Sequence, residues 1–144
     1  MLSKNLPGLY LSWQNKDLFL PMPDYHIPLL PDKVYHIFSR AIGTEKLFLE
    51  EENYKFFLKK YKLHVSPVAD TLAYNLLPNH FHFLVRIKPL EEIKSHFSAI
   101  KANKSVDIEK VPEFIMERFG NLLNSYTKSF NKEISEKEHC LLIQ

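Results

Sequence analysis

The chain of 144 residues holds one cysteine, Cys140, and three glycines. A lone cysteine excludes an intramolecular disulfide framework and a cysteine-built zinc site, and it matches a reducing, cytoplasmic setting. So few glycines leave no glycine-rich loop of the kind that cradles phosphates. No apolar run approaches the roughly 20 residues needed to span a bilayer, and the N-terminus lacks the basic-then-apolar order of a signal peptide, so no membrane partner is expected. Charge of one sign is scarce as well. Nineteen Lys and Arg against seventeen Asp and Glu give a net charge of +2, which permits nucleic acid as a partner and does not require it. No internal repeat and no nucleophilic serine or cysteine constellation is present.

What the chain does have is apolar and aromatic content, 45% and 13%. That suffices for one core of single-domain size. Five of its nine prolines, at 7, 21, 23, 28 and 31, fall in residues 1–32, where no long regular element fits. This segment reads as an irregular N-terminal arm, with Leu9, Tyr10, Leu11 and Trp13 as an anchoring patch.

Residues 33–132 read as the domain proper. Val34 to Arg40 alternates with a period of two: Val34, His36, Phe38 and Arg40 share one face, and Tyr35, Ile37 and Ser39 the other. Ala41 to Thr44 is then a turn in which Gly43 is free to take a positive φ. From Glu50 to His64 the period becomes helical, with Tyr54, Phe57, Leu58 and Tyr61 as the apolar stripe and Glu50, Glu51 and Glu52 near the positive end of the helix dipole. Pro67 ends that helix. Val68 to Leu77 reads as a strand, Pro78-Asn79 as a turn, and His80 to Lys88 as an antiparallel partner strand. Glu91 to Ile100 predicts a short helix, 101–110 a charged surface loop, and Glu113 through Phe130 a second amphipathic helix, in which Gly120 marks close packing. Residues 133–144 form a divergent tail without a clear period. Strand, helix, strand, hairpin, strand is half of a ferredoxin-like α+β fold, an antiparallel sheet with its helices packed on one face.

The chemistry centres on His80-Phe81-His82. Side chains on a strand alternate, so the two imidazoles stand on one face while Phe81, Phe83 and Val85 point to the other. Neutral imidazole is a common metal ligand, yet two histidines on an open sheet face can equally be solvated. His36 can reach this pair across a sheet or pack against Phe38. Arg40, leaving its strand beside a turn, suits a phosphate or a solvated strand end.

Four blocks in order carry a resemblance: Tyr35-His36-Ile37-Phe38-Ser39-Arg40-Ala41, Glu45-Lys46-Leu47-Phe48, Leu77-Pro78-Asn79-His80-Phe81-His82-Phe83-Leu84-Val85, and Ser125-Tyr126-Thr127-Lys128-Ser129-Phe130-Asn131-Lys132. Together they resemble the single-tyrosine transposases of the histidine-hydrophobic-histidine nuclease superfamily, most of all their repetitive-palindrome-associated branch. The resemblance implies a domain that binds a single-stranded DNA hairpin and cleaves beside it. His80 and His82 would hold a divalent ion, Mg or Mn, that polarises the scissile phosphate, and a tyrosine would form a 5′-phosphotyrosine link. Arg40 and Asn79 become candidate DNA-binding residues. Both monomers and dimers with shared active sites occur in the family, so a homodimer is allowed.

In that family the nucleophile lies on a later helix with a Tyr-Ile-His-x-Asn-Pro pattern. Here the matching blocks stop at Lys132, and residues 133–144 contain no tyrosine. The resemblance therefore implies a transposase cut short, with strand cleavage impaired. Tyr126 is the substitute nucleophile to consider, although Leu122, Leu123 and Phe130 around it suggest packing. The alternatives are a non-catalytic module that recognises DNA hairpins and a degenerate remnant.

Overall fold

The computed structural model describes residues 8–10, 27–41 and 44–142, with side chains described for 27–41 and 44–133. The anchoring patch around Trp13, the turn residues Ile42 and Gly43 and the Cys140 side chain lie outside the described residues. Four strands form one sheet in the order β1-β2-β4-β3: β1 (Gly8–Tyr10), β2 (Val34–Arg40), β3 (Ala69–Leu77) and β4 (His80–Ile87). Strands β2 and β3 both run antiparallel to β4. Helix α1 (Glu51–His64) links β2 to β3, so β2, α1 and β3 make the split crossover of a ferredoxin-like half.

The buried pattern follows directly from strand alternation. In β2 the core side is Tyr35, Ile37 and Ser39, and in β4 it is Phe81, Phe83, Val85 and Ile87. Helix α1 presents Phe57 and Tyr61 to them, with the Tyr61 ring 4.3 Å from Phe83 and the Phe57 ring 5.2 Å from Phe81. Contacts of this kind are worth about 0.5–1.5 kcal/mol each beyond the area they bury. Helix α3 (Val111–Leu142) closes the layer with Phe119, Leu122, Leu123, Tyr126 and Phe130. Gly120 is buried within it, where a side chain would hold the helix off its neighbours. The helices thus cover one face of an α+β fold. Helix α2 (Leu90–Ile100) docks through Ile93, and its Phe97 meets Phe114 of α3 edge-on at 4.9 Å.

Asn53 explains how α1 begins. Buried in the first turn, its carboxamide oxygen accepts the N–H groups of Leu49 (2.9 Å) and Glu50 (3.0 Å), and its nitrogen donates to Glu133 Oε2 of α3 at 3.1 Å. One side chain therefore satisfies helix-end donors and joins two helices. The segment before α1 is fixed from the other side as well: the N–H groups of Leu47 and Phe48 both donate to the Pro78 carbonyl, at 2.7 and 3.0 Å, and Ala41 N–H donates to the Asn79 carbonyl at 2.8 Å. These bonds hold the β3–β4 turn against the end of β2.

Two elements differ from the sequence reading. The N-terminal arm contributes β1, a three-residue strand that pairs parallel to β2 with Leu9 opposite Ile37; the short span between Pro7 and the next segment is below the length at which alternation can be read. The tail is helical through Leu142 as a continuation of α3. Residues 131–142 hold neither proline nor glycine and are rich in Glu, Lys and Leu, all good helix formers, so nothing local stops the helix. Among the described residues no helix is long and apolar enough to cross a membrane.

Candidate functional site

The face of the sheet opposite the described helices carries the alternate residues of β2, β4 and β3. Register arranges them in rows. Phe38, His82 and Asn75 lie abreast, Arg40, His80 and Leu77 form the next row, and Val34, Arg86 and Asp70 close the far end. At that far end Asp70 takes up the positive charge, bonding Arg86 at 3.0 Å and approaching Lys88 at 3.9 Å.

The near end differs in chemistry. A cleft of about 420 Å³ is lined by Phe38, Ser39, Arg40, Asn79, His80 and His82, with no carboxylate among them. Phe38, Asn79, His80 and His82 are half-buried, Ser39 is buried and Arg40 is exposed. Such a cleft offers a fixed cation and polar hydrogen-bonding groups to an anion.

The two imidazoles stand perpendicular, with centroids 5.1 Å apart and planes at 89°. Each is held through Nδ1. His80 Nδ1 donates to Asn79 Oδ1 at 2.7 Å, and His82 Nδ1 shares a proton with His36 Nε2 at 2.8 Å. His36 also lies 5.1 Å from the Phe38 ring and 5.0 Å from the His82 ring, nearly parallel to the latter at 18°. His36 therefore packs on Phe38 and hydrogen-bonds His82, without making a third metal ligand beside the pair among the described residues. Burial, followed by the neighbouring His36 and His80, keeps His82 below the ordinary histidine pKa of 6.5 and so favours the neutral ring that a metal needs.

The fit to a divalent ion can be tested on the donor set. Among the described residues no group of three or more His, Cys, Asp or Glu side chains is placed to hold a metal. That rules out a closed four-ligand zinc site built from those residues. Two imidazoles leave room for an ion that keeps water and takes phosphate oxygens; imidazole is a softer donor than the carboxylates through which Mg²⁺ is usually held.

Tyr126 does not belong to this cleft. It is 1% exposed on the helix side of the sheet, and its hydroxyl donates to the Leu47 carbonyl. Burial, with the charge of Glu133 and the Tyr54 phenol adding to it, raises its pKa above the usual 10, which opposes the phenolate a nucleophile needs. The other tyrosines whose side chains are described also lie off the cleft, and among them Tyr54 stacks on Phe48 of the core at 4.4 Å. Tyr35 is buried with its hydroxyl bonded to the Pro28 carbonyl at 2.9 Å, Tyr61 bonds Thr71 at 2.7 Å, and Tyr74 stands opposite Phe83 on the core side.

Sequence reasoning pairs His80 with His82 and offers Arg40 and Asn79 as separate candidates, and all four line one cleft. It missed Phe38 and Ser39 as walls. Period-two alternation put Phe38 on the same face as His36 and Arg40, but the pairing of Phe38 with His82 depends on a register that only the assembled sheet supplies. No family model, curated protein or solved structure matches this chain.

Proposed function

We propose that this chain is a DNA-binding protein of the histidine-hydrophobic-histidine transposase type, in which His80 and His82 hold Mg²⁺ or Mn²⁺ against a phosphodiester of a single-stranded hairpin. The observation that carries the reading is the pair of half-buried imidazoles in a cleft that contains Arg40 and, among the described residues, no carboxylate. A phosphate seated there meets the Arg40 guanidinium, a planar donor suited to phosphate oxygens. Phe38 forms an apolar wall beside it, a surface on which a base or sugar can rest. A bound divalent ion supplies Lewis-acid polarisation of the phosphoryl oxygen. The protein's own part is to orient the two rings and bind the phosphate.

A second reading, a non-catalytic hairpin-binding module, is favoured by the placement of the tyrosines: among the described side chains no tyrosine hydroxyl lines the cleft. Incubation with hairpin-bearing single-stranded DNA and Mn²⁺ separates the two. A covalent protein–DNA adduct resolved on a denaturing gel supports strand transfer, and Mn²⁺-dependent binding without an adduct supports the module. Hairpin binding that is absent, or that is unchanged in His80→Ala/His82→Ala and in Arg40→Ala, would refute the cleft as the DNA site.

A further inference from the structure

The contacts at Nδ1 decide which nitrogen of each ring can reach a cation. A neutral imidazole carries one proton, so a ring that donates from Nδ1 has its lone pair on Nε2, and a ring that accepts at Nδ1 has Nε2 blocked by hydrogen. At His80 the partner is the Asn79 carboxamide oxygen, which only accepts, so the proton sits on Nδ1 and Nε2 presents a lone pair. At His82 the partner is another imidazole nitrogen, His36 Nε2, at 2.8 Å, and either ring can be the donor. If His36 donates, His82 carries its proton on Nε2 and is closed to metal. If His82 donates, its Nε2 opens and His36 keeps its own proton on Nδ1.

We infer that His36 is a positioning residue for His82: in the metal-bound protein it accepts the Nδ1 proton of His82, and Asn79 does the same for His80, so that both Nε2 lone pairs are presented to one cation. This rests on the reading of His80 and His82 as ligands. The second partner sets tautomer and ring orientation together, as acceptors behind metal-bound histidines do generally. It also gives Asn79 a task besides contact with DNA, since its oxygen accepts from His80. The geometry supports selection of one ring pose: His36 packs against both Phe38 and His82, at 5.1 and 5.0 Å, in a cluster of three rings in which Phe38 and His82 lie 5.8 Å apart.

The test uses the full chain, Mn²⁺ affinity by electron paramagnetic resonance, and ¹⁵N-histidine spectra of the Mg²⁺-loaded protein near pH 8, where ordinary imidazoles with pKa about 6.5 are neutral. His36→Leu is expected to weaken Mn²⁺ binding about 10- to 100-fold. His36→Gln, whose amide oxygen can accept the same proton, is expected to recover most of that loss. The spectra of the wild type are expected to show His80 and His82 protonated at Nδ1 alone, a signature that mere packing by His36 would not produce. Wild-type affinity in His36→Leu, or a proton on Nε2 of His82 in the loaded protein, overturns the inference. Failure of the ligand reading looks different: the wild type itself binds no Mn²⁺, or His80→Ala/His82→Ala binds it unchanged, and either result removes both claims.

Discussion

The Tyr126 hydroxyl donates to the backbone carbonyl of Leu47, a residue 79 positions earlier in the chain. This bond ties the segment ahead of α1 to the middle of α3, and the same ring meets Phe57 edge-on at 5.1 Å and Phe130 at 5.7 Å. Replacing it by phenylalanine keeps the ring and leaves the Leu47 carbonyl without that partner. Tyr126→Phe should therefore lose about 1–3 kcal/mol in urea unfolding, the cost of a buried polar group left unpaired. Mn²⁺ affinity should stay at the wild-type value. A Tyr126→Phe protein that still binds hairpin DNA but loses a covalent adduct made by the wild type would contradict the structural assignment of this residue.

Phe57 is the meeting point of the aromatic core. Its ring touches those of Phe48, Phe81, Phe83 and Tyr126, from α3 and from both the loop and the sheet. Phe57→Ala is expected to cost about 3–5 kcal/mol, because so many rigid neighbours cannot collapse into the space. Phe57→Leu should cost less. Equal losses in the two variants would show that cavity formation is not the cause.

At alkaline pH the weak point is Tyr61. Burial pushes its phenol up to about 12 from 10, against the opposing effect of its hydrogen bond to Thr71. A folded-state pKa above the unfolded value means that the stabilisation is complete below pH 10 and is lost as pH rises toward about 12. The urea midpoint should fall across that window, and Tyr61→Phe should fall less. Tyr126, shifted in the same direction, leaves part of the slope in place.

At acid pH the sign reverses. His64, His82 and His96 are all held below 6.5, each mainly by burial. The unfolded chain takes up these protons first, so the stabilisation present above pH 6.5 is lost as pH falls through the lowered folded values. His96 is the most informative position: its Nε2 is buried without a hydrogen-bond partner among the described residues, and its ring lies 6.1 Å from Phe114. His96→Leu should flatten the decline in unfolding midpoint between about pH 7 and pH 5. If the slope is unchanged, His96 stays solvated in the native protein.

The sequence made β2 and β4 legible because one buried and one open face impose strict alternation, and Phe81, Phe83 and Val85 leave no second way to orient His80 and His82. The imidazole pair was legible for the same reason, since residues two apart on a strand must share a face. What the strands share with one another was not. The sequence left open whether His36 reaches the pair or packs on Phe38; that it bonds His82, and that Phe38 stands abreast of His82, follows from an antiparallel pairing between segments more than 40 residues apart, with a bond at separation 46. The length of α3 was missed on different grounds. Its apolar stripe is strong through Phe130 and fades afterwards, while the propensity of Glu, Lys and Leu alone continues the helix.

The break in register on β3 between Thr71 and Ala73 has a consequence for the sheet's outer margin. The side of β3 away from β4 is one of the two margins of the described sheet, the other being β1, and Leu72 and Tyr74 are exposed there. A straight ladder at that place would invite a neighbouring molecule to add a strand and then another. The extra residue throws the backbone donors and acceptors out of step. The rim of β3 is therefore a poorer template for a further strand than its bulky apolar groups alone would make it.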